Sequence, residues 1–123
     1  MAVGRIWSVT LDCDDPTKEA EFWAAMLGGT ISYSSEDFVG VELPGGMWIG
    51  AVRSPGHKPA EWPEGNTPQQ FHLDVAVDDM DEAEQAATGL GAIKADHQPA
   101  PDRWRVLIDP AGHPFCVTNQ APA

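Results

Sequence analysis

The chain has 123 residues, enough for one domain with a real core and too few for two independent ones. Hydrophobic residues make up 42% and charged residues 21%, a balance that argues against disorder. Nineteen acidic against seven basic residues give a formal charge of -12, which repels phosphate backbones and anionic membranes, so neither nucleic acid nor a membrane is an expected partner.

No apolar run approaches the roughly eighteen residues of a membrane span, and MAVGRIW lacks the apolar stretch of a signal peptide. A cytoplasmic protein is expected. Cys13 and Cys116 form no CxxC pair and are expected to stay reduced, with neither a disulfide nor a structural zinc indicated.

The first predicted element is a strand in RIWSVTLDC, where Trp7, Val9, Leu11 and Cys13 make an apolar face and Ser8, Thr10 and Asp12 point the other way. Asp15 then Pro16 open a helix in which Ala20, Trp23, Ala24 and Leu27 recur at helical spacing, with Phe22 and Trp23 assigned to the core; Gly28-Gly29 ends it. TISYS reads as a short strand. DFVGVELPGGMWIGAV reads as strand, tight turn, strand, with Met47, Ile49 and Ala51 against the helix and Trp48, Gly50 and Val52 on the other face.

RSPGHKPAEWPEGNTP, residues 53–68, is rich in proline and glycine and reads as a connector; its Trp62 is either a lid residue or an anchor for the loop. In QQFHLDVAVDD, alternation turns Phe71, Leu73, Val75 and Val77 inward and leaves His72, Asp74 and Ala76 opposite. A second helix follows Asp79, with Ala83, Ala86, Ala87 and Leu90 on its apolar side before Gly91. AIKAD supplies a short strand. DRWRVLIDPAGHPFCV closes the chain as strand, turn, strand, with Val106, Ile108, Phe115 and Val117 inward and Arg105, Leu107, Cys116 and Thr118 outward. His57 and His97 fall in loops and read as solvated, and His113 reads as part of its turn.

The chain repeats itself once. Ser8 to Leu27 lies over His72 to Gly91 at an offset of 64, so that Asp14-Asp15 falls on Asp78-Asp79. Asp37 to Val52 lies over Asp102 to Val117, with Gly46 on Gly112 once one residue is inserted in the turn. Each half reads strand, helix, strand, strand, strand. The expected organisation is a single α+β domain of two tandem βαβββ modules: module one at 1–52, the connector at 53–68 and module two at 69–123.

With VTLDCDDPTKEAEFWAAMLGG opening one module, and HLDVAVDDMDEAEQAATGLGA and DPAGHPFCV in the other, the sequence resembles the vicinal oxygen chelate superfamily. This superfamily comprises glyoxalases, bleomycin-resistance proteins and extradiol dioxygenases, and the likeness is to its short glyoxalase-like members. The resemblance implies a curved sheet around a cleft between the modules, and members of the superfamily often form homodimers. It also implies four metal-ligand positions, one in the first and last strand of each module, which here hold Ser8, Gly50, His72 and Cys116. A catalytic divalent site needs about three protein ligands and an open position. Only His72 is an ordinary ligand among the four, so no metal and no other cofactor is expected, with a divalent metal as the alternative.

The expected cleft residues are Ser8, Thr10, Glu42, Trp48, Gly50, His72, Asp74, Arg105, Leu107 and Cys116. His72 can hydrogen-bond a ligand, move a proton, or be a satisfied histidine between the modules. Arg105 can clamp a carboxylate or pair with Asp74 or Glu42. Cys116 reads as a small buried residue, since no basic cluster adjoins it to make a nucleophile. Three functions follow: a binder of a small organic molecule, of which a cationic or polar aromatic one suits the charge; a glyoxalase-like lyase or isomerase using His72, with or without a metal; or a dimerising module without catalysis. No GxGxxG, Walker loop, HExxH or GxSxG motif supports hydride, phosphoryl or triad chemistry.

Overall fold

Residues 2–122 are described by a computed structural model. In chain order the elements are β1 (Ser8–Cys13), α1 (Pro16–Leu27), β2 (Thr30–Ser34), β3 (Phe38–Glu42), β4 (Trp48–Arg53), β5 (Leu73–Ala76), α2 (Met80–Gly89), β6 (Ile93–Lys94), β7 (Arg105–Ile108) and β8 (Pro114–Thr118). They form two βαβββ modules, each with a four-stranded mixed sheet, ordered β1-β4-β3-β2 in the first and β5-β8-β7-β6 in the second. In each, the first strand pairs parallel with the last and the other ladders are antiparallel. The boundary between the two compact units falls between His57 and Lys58, inside the Pro/Gly-rich connector.

Both helices start at the aspartate the sequence marks. The Asp15 carboxylate accepts from the Lys18 N–H at 3.2 Å and that of Asp79 from the Glu82 N–H at 3.0 Å, each satisfying a donor the first turn leaves free. Gly28 ends α1 in the left-handed region at φ 68. In the first module, α1 covers one face of the sheet, where Cys13, Val39, Val41, Ile49 and Ala51 are buried with Ala20, Phe22 and Trp23. Glu19 joins them at 1% exposure and accepts a 3.3 Å hydrogen bond from the Trp23 indole Nε1–H, a buried acid that apolar periodicity does not announce.

Several expected orientations are corrected. Trp7 and Phe71, which occupy the same place in the repeat, were assigned to the helix-facing cores but are 61% and 91% exposed. Trp7 lies one place and Phe71 two places before the first residue of its strand, and Trp7 packs on Trp48 of the opposite face at 6.2 Å. On α2 the buried residues are Met80 and Ala87, whereas Ala86 and Leu90 are exposed. The strand expected over AIKAD is only Ile93–Lys94.

The faces of β7 are reversed. Leu107 pairs with Phe115 and is fully buried on the helix side, while Val106 pairs with Cys116 on the other face. Arg105, in register with Val117, turns towards α2 and donates to Asp81 at 2.8 Å and Glu84 at 3.3 Å. Alternation in RVLI defines two sets of residues; with apolar side chains in both, only the register with β8 decides which set meets the helix.

The β7–β8 turn is built around Asp109. Its buried Oδ1 accepts from the N–H groups of Ala111 at 3.0 Å and His113 at 2.9 Å, and Gly112 takes φ +89, which side chains rarely adopt. Gly112 also lets the connector close in. A Cβ there would stand 2.7 Å from the Pro59 Cα, and the Ala60 N–H donates to the Gly112 carbonyl at 3.2 Å. Asp109→Ala is expected to cost on the order of 2–3 kcal/mol in urea unfolding, because one buried and one partly buried N–H group lose their acceptor, and Asp109→Asn much less, because its amide oxygen can still accept. Equal losses in the two variants would show that the turn does not depend on these hydrogen bonds.

Candidate functional site

In the first module, the face of the sheet away from α1 carries Ser8, Thr10, Glu42, Trp48 and Gly50, as alternation predicts. Gly50 is not an open ligand position. A Cβ at Gly50 would lie 2.8 Å from two ring carbons of Phe38 and 2.8 Å from the Thr10 Oγ1, and one at Gly40 would lie 3.0 Å from the Trp48 ring. Glycines in β3 and β4 thus let aromatic rings lie across the sheet, and Tyr33 extends this surface at 6.0 Å from Phe38. The superfamily's usual metal arrangement does not fit, since the site of one ligand is filled by the Phe38 ring.

The second module holds a cavity of about 620 Å³. Its lining includes His72, Asp74, Val106, Cys116 and Thr118 from the sheet face away from α2, Trp62 and Gln69 from the connector and its end, and Pro99 and Trp104 from the loop before β7. The parallel register sets Asp74 directly beside Cys116, and His72, two residues before Asp74, projects from the same face. The His72 Nε2 lies 3.2 Å from the Asp74 Oδ1, with the two side chains 42% and 63% exposed. One donor atom from each of His72, Asp74 and Cys116 falls within 4.8 Å of the others.

Cys116 is buried, and its thiol is pushed up to about 11 by desolvation first and then by the charge of Asp74 and a hydrogen bond to it. All three favour the neutral thiol, so at neutral pH Cys116 is a poor nucleophile.

Trp62 and Trp104 pack against Ala95, Val106 and Cys116. Trp62 also meets the His97 ring at 5.4 Å, so His97, exposed as expected for a loop, still has an aromatic neighbour. Its loop is tied by the Glu61 N–H to the Thr67 carbonyl at 2.6 Å and by the Asn66 N–H to the Glu61 carboxylate at 3.1 Å. Trp62 is therefore both the wall of the cavity and the anchor of its loop. Gln98 serves β7 as a substitute strand, donating to the carbonyls of Ala95 and Val106 and accepting from the Val106 N–H at 2.9 Å. Gln69 Oε1 is buried without a hydrogen-bond partner among the described residues.

Of the expected cleft residues, His72, Asp74 and Cys116 are brought together; Arg105 and Leu107 belong to the opposite face. Trp104, Gln69 and Gln98 escaped the sequence reading. Trp104 had a signal, since it lies two residues before Val106 and shares its face once β7 is oriented correctly. Gln69 and Gln98 had none, because they sit in irregular segments.

In alkylation with iodoacetamide, Cys116 is expected to react slowly at pH 8 and to accelerate towards pH 11, and Asp74→Asn should shift that profile to lower pH. A profile centred near the ordinary thiol value in the parent protein would contradict the role given to burial and Asp74.

A profile described as a glyoxalase-like domain matches residues 8–118. No curated protein matches the chain. Among solved structures, the chain is similar to a possible glyoxalase from Bacillus cereus, with 17% identity, a TM-score of 0.67 and coverage of 95% of this chain and 99% of that one. It is also similar to the E126Q mutant of FosX, a fosfomycin resistance protein from Listeria monocytogenes, complexed with Mn(II) and 1S,2S-dihydroxypropylphosphonic acid, with 18% identity, a TM-score of 0.71 and coverage of 98% and 95%. A glyoxalase/bleomycin resistance protein/dioxygenase family enzyme from Burkholderia phytofirmans PsJN shows 22% identity and a TM-score of 0.66 over 89% and 94%. At these identities the likeness is one of fold, and it agrees with the profile match over nearly the whole chain. The chain therefore belongs to the glyoxalase-like domain family of the vicinal oxygen chelate superfamily.

Proposed function

We propose that this protein binds a small organic molecule without the usual four-position metal centre, and that the cavity of the second module is where the ligand sits. The observation that carries the reading is the composition of its lining: two tryptophans, Trp62 and Trp104, with two acceptors, the Asp74 carboxylate and the unpartnered Gln69 Oε1. Its volume of about 620 Å³ lies within the usual range of small-molecule sites. Among the lining residues no lysine or arginine occurs. Such a lining favours a flat or cationic ligand that donates hydrogen bonds, since tryptophan faces attract cations and a buried acceptor is costly until something donates to it. Self-association belongs to the same proposal: β1 and β5 each end their sheet, leaving a strand edge that a second copy can cover.

A second reading is favoured by the 3.2 Å contact between His72 and Asp74. A carboxylate at one ring nitrogen orients the imidazole and leaves the other to take a proton, the arrangement a lyase or isomerase needs for a general base. FosX carries manganese in a related fold, but the Phe38 ring over Gly50 is against an equivalent centre here.

Intrinsic tryptophan fluorescence tests the first reading with phenyltrimethylammonium and its neutral isostere, tert-butylbenzene. Quenching by the cation is expected, weakened roughly tenfold by Trp62→Ala or Trp104→Ala, the scale of a cation–π contact. Asp74→Asn should weaken the cation and spare the isostere. If neither compound quenches the parent protein, or both act equally on the Trp62→Ala variant, the cavity is not the binding site. Under the second reading His72→Ala abolishes turnover of a hemithioacetal while leaving cation binding intact, and unaltered turnover would remove His72 from any mechanism.

A further inference from the structure

The polar groups around the second-module cavity are unevenly spent. The Thr118 hydroxyl donates to the Arg103 carbonyl at 2.7 Å, the Gln120 Nε2 donates to the Asn119 Oδ1 at 2.7 Å, and the Cys116 thiol is hydrogen-bonded to Asp74. These lining donors are engaged within the protein. The acceptors are in excess. Asp74 keeps a carboxylate that is 63% exposed, and the Gln69 Oε1 is shut away from water with no hydrogen-bond partner among the described residues. A buried acceptor without a donor is costly, and folded chains retain few of them. The loop that leads to Gln69 is closed by the Glu61 N–H on the Thr67 carbonyl and by the Asn66 N–H on the Glu61 carboxylate, so the backbone before the amide is held. Gln69 itself is half-buried and lines the cavity, and a side-chain rotation is enough to turn its oxygen to a bound donor.

Given that this cavity holds a small organic molecule, as proposed above, we infer that Gln69 determines its specificity and that the ligand is a planar cation bearing N–H groups, an amidinium or a protonated amino-heteroaromatic. Three features of the lining converge on this class. The faces of Trp62 and Trp104 attract a flat or cationic group, and Asp74 supplies the opposite charge with no lysine or arginine among the lining residues to compete. Gln69 Oε1 requires a donor. A quaternary ammonium satisfies the first two and leaves the third unmet. A cation with N–H groups satisfies all three, and it gains the amide oxygen without breaking a hydrogen bond of the empty protein. A site that hydrogen-bonds a ligand donor rejects the analogue lacking it far more strongly than apolar shape alone can.

Tryptophan fluorescence of the full-length protein, titrated with benzamidinium, phenyltrimethylammonium and benzoate, tests the assignment. Benzamidinium is expected to bind roughly tenfold or more tightly than phenyltrimethylammonium, the scale of one buried acceptor satisfied, and benzoate not to compete. In Gln69→Met the ratio of the two cations should fall to near one, while Gln69→Glu, which keeps an acceptor, should retain the preference. The thermal midpoint of empty Gln69→Met should rise above that of the parent, because the unpaired acceptor is gone. Equal affinities in the parent, a preference that survives Gln69→Met, a lowered midpoint in that variant, or benzoate binding as tight as benzamidinium overturns the assignment. Equal quenching by both cations would still leave the cavity as a cation site, whereas no quenching by either removes the ligand reading itself.

Discussion

Parallel pairing of the first and last strand of each module, β1 with β4 and β5 with β8, is the constraint on which the candidate site depends. Parallel neighbours cannot be joined by a tight turn, so the helix and two further strands must lie between them in sequence. The helix takes one face of the sheet and leaves the other to loops, as with Trp62 and Trp104 in the second module. In the second module the pairing also fixes which side chains share that uncovered face, setting Asp74 beside Cys116 and, through Val106, bringing β7 into the cavity wall.

The same geometry has opposite consequences in the two halves. In the first, glycines at 40 and 50 let the rings of Phe38 and Trp48 lie down on the sheet, giving an aromatic surface where the superfamily has a metal ligand. In the second, the equivalent strands carry polar donors, and the bulk comes from outside the sheet, from Trp62 and Trp104. A duplicated architecture thus supports two differently lined faces. The difference is made by side-chain volume at a few alternating positions.

Asp109 and Gly112 show how the cavity is held. The aspartate spends its carboxylate on two N–H groups of its own turn, and the glycine removes the side chain that would keep Pro59 away. The connector is thereby laid against the turn, and Trp62 reaches the cluster of Ala95, Val106 and Cys116. A turn motif that looks purely structural in sequence is what brings a distant tryptophan to the site.

The repeat, the order of elements, the two acidic helix caps and the shared face of His72 and Asp74 are determined by sequence alone. They rest on periods of two and 3.6 residues and on local hydrogen bonds that need no distant partner. The orientation of β7, the exposure of Trp7 and Phe71, and the company His72 keeps were decided by tertiary structure. Alternation separates a strand's residues into two sets but carries no sign when both are apolar, and a residue one or two places outside a strand has no ladder to bury it. Trp62, Gln69 and Gln98 come from irregular segments whose position is set by a few long-range contacts. No local pattern records such contacts.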